Sequence, residues 1–589
     1  MIRHLSKMKL LAVAAALPLA VTACGGGSSP NTPPPKLTGY NAATTGIVNA
    51  SNKPGGTLNL ISSGDCDSWD PARTYYAFCW DMQRLFERTL MAYAAAPGAA
   101  GTQVVPDLAS APGTANADAT VWTYHLRSGI KFQTGAVITS QDIKYAIERI
   151  FATTVISGGP TYVICLLTTC NASGASPYLG PYGAGHPSLS SIVTPDANTI
   201  VFHLVKPYSD WNYIMALPGS APVPAALDTG AKYALKPVAS GPYEFVSYSP
   251  GKSASWIRNP YWVRSTDPIR KALPDAISLL IDSNPADVDS HLLAGTADVD
   301  IGGTGVQSAA QAKIVTTPAL KANADDPTDN FVRYFTIDPT VPPLNNKACR
   351  LAIMYALNKS DLQLARGGDY AGKITGSMLA PNIAGFDSTF DPYPNGAGNT
   401  GDLAMAKQEL TACGHPHGFS THMAYINEGK SVKVFNAAQQ ALARVGITLL
   451  PGAGQASSYY STWVGTPASI VQHNLGMTQY GWGADFPTGV GWWYSIVDGQ
   501  AIAVSGGNSN IPSLNDPIVN NDINALEKTT DPATRASLDH QIDVEVMNQA
   551  DFAPFLDEAD LTYRNPRVTD IYIQGSFGIY DFVSLGVVS

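Results

Sequence analysis

The stretch QYGWGADFPTG, residues 479–489, sets a single carboxylate, Asp485, between Trp482 and Phe486, with glycines at 481, 483 and 489. An acid among aromatic rings can close a turn while the rings join the core. Alternatively, it can offer a fixed negative charge to a cation where water is scarce. In that case an ammonium about 4 Å away is attracted by roughly 4 kcal/mol at an effective dielectric near 20, before either ion loses its water. Flanking rings add about 0.5–2 kcal/mol through their quadrupoles, and the glycines would let a ligand's backbone come close.

Other residue types weigh against catalysis. H-E-x-x-H, G-x-S-x-G and Walker sequences are all missing, so a zinc protease, a hydrolase elbow and a nucleotide motor lack their minimal constellations. Among 46 acids, nothing places two at the fixed spacing of a glycosidase pair. His415, His417 and His422 in CGHPHGFSTH could bind a transition metal but fit a surface loop. DCDSWD and ADVDIGG resemble calcium loops in fragments, without the glycine and glutamate that complete an EF-hand. No catalytic residue, metal site or cofactor is expected.

The elements that must position Asp485 read as a mixture. Gly (53) and Pro (43) are too frequent for a helical bundle and favour α with β. A strand is expected at Thr57–Ile61, followed by a loop in which Pro71 excludes a central strand. Trp122, Tyr124 and Leu126 alternate on one strand face, and TIVFHL (199–204) and GPYEFVSYSPGKSASWIRN read as a further strand and a hairpin. Thr139 with Asp142 predicts a helix start, and Asn284, Pro285 and Gly295 bracket another helix. Ala348, Leu351, Ala352 and Tyr355 predict one helix face; Val432, Phe435, Ala438, Leu442 and Val445 predict a second, before the strand GITLLP.

The N-terminus says where the chain works. Arg3, Lys7 and Lys9 precede an apolar run of about fourteen residues, LLAVAAALPLAVTA, a signal-peptide core too short to span a bilayer. The run ends at Cys24 in VTAC, which resembles the lipobox of bacterial lipoproteins. Removing residues 1–23 takes the formal charge from −10 to −13, and so acidic a chain is not expected to bind nucleic acid. Residues 24–53, with GGGSSPNTPPPK directly after Cys24, are expected to form a flexible tether reaching roughly 30 Å. In an oxidising compartment, Cys66, Cys79, Cys165, Cys170, Cys349 and Cys413 are expected to pair. Fifteen pairings exist; proximity points to 66 with 79 and 165 with 170, leaving 349 with 413.

In order along the chain, GGTLNLISSGDCDSWDPA, PDLASAPGTANADATVWTYHLRSGIKFQTGAVITSQDIKYAIERI, ASGPYEFVSYSPG, RNPYW, LNNKACRLAIMYALNKSDL and YGWGADFP are similar to the successive signatures of the extracellular solute-binding family 5. This is the family of peptide-binding lipoproteins of ABC importers. The resemblance implies a two-lobed α/β clamp of the periplasmic-binding-protein type (class II, cluster C) with an extra subdomain inserted in the first lobe. The first lobe would comprise residues 54–315 and 525–589, the insert about 86–189, and the second lobe 316–524.

The resemblance also implies roles. Asp485 stands where peptide-binding members pair an acid with the ligand's α-ammonium, and Trp482 matches their neighbouring tryptophan. Tyr480, Tyr75, Tyr76, Tyr162 and Trp492 are further candidates to touch ligand. The implied partners are a peptide and the permease subunits of an ABC transporter, with a monomer anchored through Cys24 on the extracytoplasmic face of the membrane. Oligosaccharide or a nickel complex is the alternative cargo, and peptide sensing without import the alternative role. Two points depart from the family pattern. Where many relatives carry a second acid and a proline, this chain has Thr488-Gly489 and an aromatic pair, and no base is assigned to the ligand's carboxylate, Arg366 fitting a solvated arginine better.

Overall fold

The computed structural model describes residues 37–171, 174–182 and 188–588; the expected leader, Cys24 and the tether up to residue 36 lie outside them. Two sheets organise these residues. The first has five strands in the order Val299–Asp300, Thr57–Ser62, Ala276–Ile281, Ser253–Arg258 and Tyr243–Ser249. Thr57–Ser62 runs parallel to both of its neighbours, and the hairpin 243–258 completes the sheet antiparallel. The second has six strands: Gly372–Lys373, Phe552–Ala559, Thr328–Ile337, Met477–Gly483, Ser420–Ile426 and Thr448–Gly454. Its long central strand, Thr328–Ile337, is antiparallel to both neighbours, whereas Met477–Gly483, Ser420–Ile426 and Thr448–Gly454 are mutually parallel, joined through helix Gly429–Ala443 and returning segments.

Local chemistry sets the element ends. The Asp142 carboxylate accepts both the backbone N–H and the hydroxyl of Thr139, each at 2.8 Å, where helix Ser140–Ile150 begins. Asn284 accepts from the Ala286 N–H to start helix Pro285–Ala294, and Gly295 ends it in the left-handed region at φ 76°. The six cysteines form Cys66–Cys79, Cys165–Cys170 and Cys349–Cys413, the pairing that proximity suggests.

Four expectations need correction. The tether is shorter than 24–53: Ala43 and Val48 are buried, Ala43 N–H donates to Asp325 at 2.9 Å and Val48 N–H to Ile571 O at 2.8 Å, so these small apolar residues dock on the body. The insert extends past 189, because strands Ile192–Asp196 and Thr199–His203 pair in one antiparallel sheet with Val121–His125. The stretch 525–589 is divided: Phe552–Ala559 lies inside the six-stranded sheet, while Val568, Ile571 and Val587 join the core beneath the five-stranded one. Helix Lys347–Ala356 turns inward with Cys349, Ala352, Ile353 and Ala356, one position on from the expected face, leaving Leu351 and Tyr355 half-buried.

Candidate functional site

Asp485 lies two residues past strand Met477–Gly483 and just ahead of helix Gly489–Val497. Thr488 caps that helix through the Gly491 N–H, and its hydroxyl also donates to Asp210 at 2.8 Å. Gly489 is required because a Cβ there would collide with the Asp539 carboxylate. The Thr488-Gly489 departure from the family pattern therefore has a structural reason: it seats the helix that carries Ser495.

Three hydroxyls converge on Asp485. Tyr162 Oη donates to Oδ2 at 2.6 Å, Tyr75 Oη at 2.9 Å and Ser495 Oγ at 3.2 Å. Tyr162 opens helix Tyr162–Leu167 of the insert, closed at its far end by Cys165–Cys170. Tyr75 follows the Asp70-Pro71-Ala72 turn, and both its position and its ring are held. Its N–H donates to Asp67 at 3.1 Å, and its ring stacks on Trp80 at 5.8 Å and meets Trp482 edge-on at 6.3 Å. The turn itself is pinned by Arg149, whose guanidinium grips Asp70 through two bonds of 2.8 and 2.7 Å while its Nε reaches Asp228 at 2.9 Å.

The electrostatics are one-sided. Asp485 is 7% exposed, and no arginine or lysine is among the groups that act on it. Burial pushes its carboxyl up to about 7, against the downward pull of the Tyr162, Tyr75 and Ser495 hydroxyls. Burial, reinforced by Asp485, likewise holds both tyrosines well above the usual phenol range, so they remain donors. A buried carboxylate without a counter-ion is costly, and a cation brought to it would relieve that cost.

The structure thus gathers Asp485, Tyr75, Tyr162 and Trp482. Tyr480 stands close by, buried against Tyr334 and Tyr460 with its hydroxyl 3.4 Å from Ser509. Tyr76 turns to Phe78, and Trp492 is wholly buried, edge-on to Trp493. Sequence reasoning missed Ser495; the Thr488 cap, which fixes the helix start, is the signal that could have found it. Gly481 and Gly483 pair with the neighbouring strand, and the Arg333 and Phe331 side chains lie 2.5 Å from where their Cβ atoms would be.

Arg366 is not solvated. It is buried and ion-paired with Glu558, which Arg333 shares at 2.5 Å. Among the described residues, Asp329, Glu558 and Asp560 are the one acidic group close enough to share a metal ion. Arg333 and Arg366 already neutralise Glu558, and Lys430 bonds Asp560 at 3.1 Å. His415, His417 and His422 do not form such a group. No helix among the described residues is long and apolar enough to cross a membrane.

Residues 103–503 match the model described as bacterial extracellular solute-binding proteins, family 5 Middle. The glutathione-binding protein GsiB of Salmonella paratyphi A is 26% identical over 347 residues, a match spanning 57% of this chain and only 58% of that protein. Among solved structures, clavulanic acid biosynthesis oligopeptide binding protein 2 is 42% identical with a TM-score of 0.87, covering 94% of this chain and 99% of its own. The ABC transporter-associated periplasmic binding protein DppA from Helicobacter pylori, in complex with peptide STSA, shares the fold at 20% identity and a TM-score of 0.75, over 91% of this chain and 99% of its own. With its two-lobed α/β fold and a family match across most of its length, the chain belongs to the bacterial extracellular solute-binding proteins, family 5.

Proposed function

We propose that this protein is a lipid-anchored extracytoplasmic receptor that captures peptides between two lobes and delivers them to an ABC permease, without chemistry of its own. The lobes would meet at the two crossings near residues 326–328 and 559–562, each lobe built around one of the large sheets. The observation that carries the reading is the buried Asp485 carboxylate, bonded by three hydroxyls and met by no lysine or arginine among the described residues. A ligand's α-ammonium supplies the missing charge. Its attraction, roughly 4 kcal/mol at about 4 Å and an effective dielectric near 20, is spent partly on desolvation and partly on favouring the closed state. The relatives named as an oligopeptide binding protein and a glutathione-binding protein support a peptide as the cargo.

Cys24 would carry the lipid, leaving about a dozen residues of tether before the docked segment at 37–49. Mass spectrometry of ligand co-purified with the protein, followed by calorimetry against di- to decapeptides, oligosaccharides and nickel, tests the proposal. Peptide binding supports it. Binding of sugar or nickel alone overturns it.

A further inference from the structure

All three hydroxyl bonds to Asp485 fall on one oxygen. Tyr162, Tyr75 and Ser495 donate to Oδ2, and Oδ1 accepts no hydrogen bond among the described residues. Oδ1 is also not among the sealed, unpartnered polar atoms of the interior, so it keeps an opening. The three hydroxyl oxygens also lie close together, Tyr75 Oη 3.0 Å and Tyr162 Oη 3.2 Å from Ser495 Oγ, with each O–H proton turned to Oδ2. Oδ2 is thus saturated by groups fixed from the Asp70 turn, the insert and the following helix.

This geometry bears on which cation fits. An ammonium is a compact point charge that can bond through a single N–H, whereas a guanidinium or amidinium is a planar fork whose strength lies in parallel bonds to both oxygens of a carboxylate. With Oδ2 occupied, only the single-oxygen mode remains. We propose that Tyr75 and Ser495 are specificity-determining residues that make the Asp485 subsite select a primary ammonium over a guanidinium or amidinium. The inference rests on the reading that Asp485 receives a ligand amine, and adds that two of the three hydroxyls on its carboxylate decide which amine-like group is accepted.

The test uses one peptide that the protein binds, in two forms: with its free α-amine, and with that amine converted to a guanidino group. Calorimetry on the full chain is expected to show the free-amine form binding at least about tenfold tighter to the wild type, since the fork loses its second bond. Tyr75→Phe combined with Ser495→Ala removes two oxygens and almost no volume. It is expected to narrow the preference to within about threefold, chiefly through tighter binding of the guanidino form. Each single variant gives an intermediate ratio, and an unchanged melting temperature shows that the fold is kept. Equal binding of the two forms by the wild type, or an unchanged preference in the double variant, overturns the inference and leaves the peptide reading standing; the latter result assigns the preference to size. If neither form binds better than the N-acetylated peptide, the amine reading falls and this inference with it.

Discussion

Tyr162 Oη donates to Asp485 Oδ2 at 2.6 Å across 323 positions of sequence, joining the insert to the loop behind the six-stranded sheet. Tyr75 reaches the same oxygen from 410 positions away, so two segments remote in sequence help to fix one carboxylate. That convergence makes the site's properties depend on residues far from it.

Arg149 supports the site without touching Asp485. It is fully buried and pairs with both Asp70 and Asp228, and Asp70 shapes the turn that carries Tyr75. Arg149→Met leaves both acids without their cation and is expected to cost about 3–5 kcal/mol of stability. Urea unfolding of the variant checks this.

The disulfides differ in the loops they close. Cys165–Cys170 closes a separation of 5 residues and Cys349–Cys413 one of 64. On chain-entropy grounds their removal costs about 2 and about 4 kcal/mol respectively. Serine pairs at the two sites should lower the melting temperature in that order, and only the 165/170 pair, next to Tyr162, should also weaken ligand binding.

The pH dependence of binding has a definite sign. The free Asp485 carboxyl titrates at about 7, so below that pH a proton must leave as the ammonium arrives, and affinity falls by up to about tenfold per pH unit. Above about 8 the ligand's own α-amine loses its charge. Calorimetry in buffers of different ionisation enthalpy should show proton release at pH 6 and an optimum between about 7 and 8. Stability follows the same group. Its folded pKa is raised above the ordinary 3.8, so its contribution is complete below about 4 and lost as pH rises through about 7. Asp485→Asn, which cannot ionise, should therefore gain on the wild type more at pH 8 than at pH 5.

Much of the frame was legible because it rests on local rules. Alternation placed Trp122 and Tyr124 inward, and Asn284 and Thr139 opened their helices as short polar residues do. What escaped were features set by neighbours remote in sequence. That Gly481 and Gly483 stand opposite Arg333 and Phe331 follows only from the register of the strand pair. Arg366 looks solvated until Glu558 arrives from the other end of the chain. At Asp485 the family resemblance pointed to the acid and Trp482, while Tyr75 and Tyr162 stood only among several aromatic candidates; the saturated oxygen was not legible, because Ser495 joins only when the helix after Thr488 is built.

Membrane attachment is a separate matter from recognition. Cys24→Ser should leave the protein unlipidated and move it from the membrane to the soluble fraction on cell fractionation, with peptide affinity unchanged.

The most direct test of the central claim is calorimetry of Asp485→Ala against one peptide with a free α-amine and its N-acetylated form. The free-amine peptide is expected to lose about 2–5 kcal/mol relative to wild type while the acetylated peptide loses much less. Equal losses for the two would contradict the account.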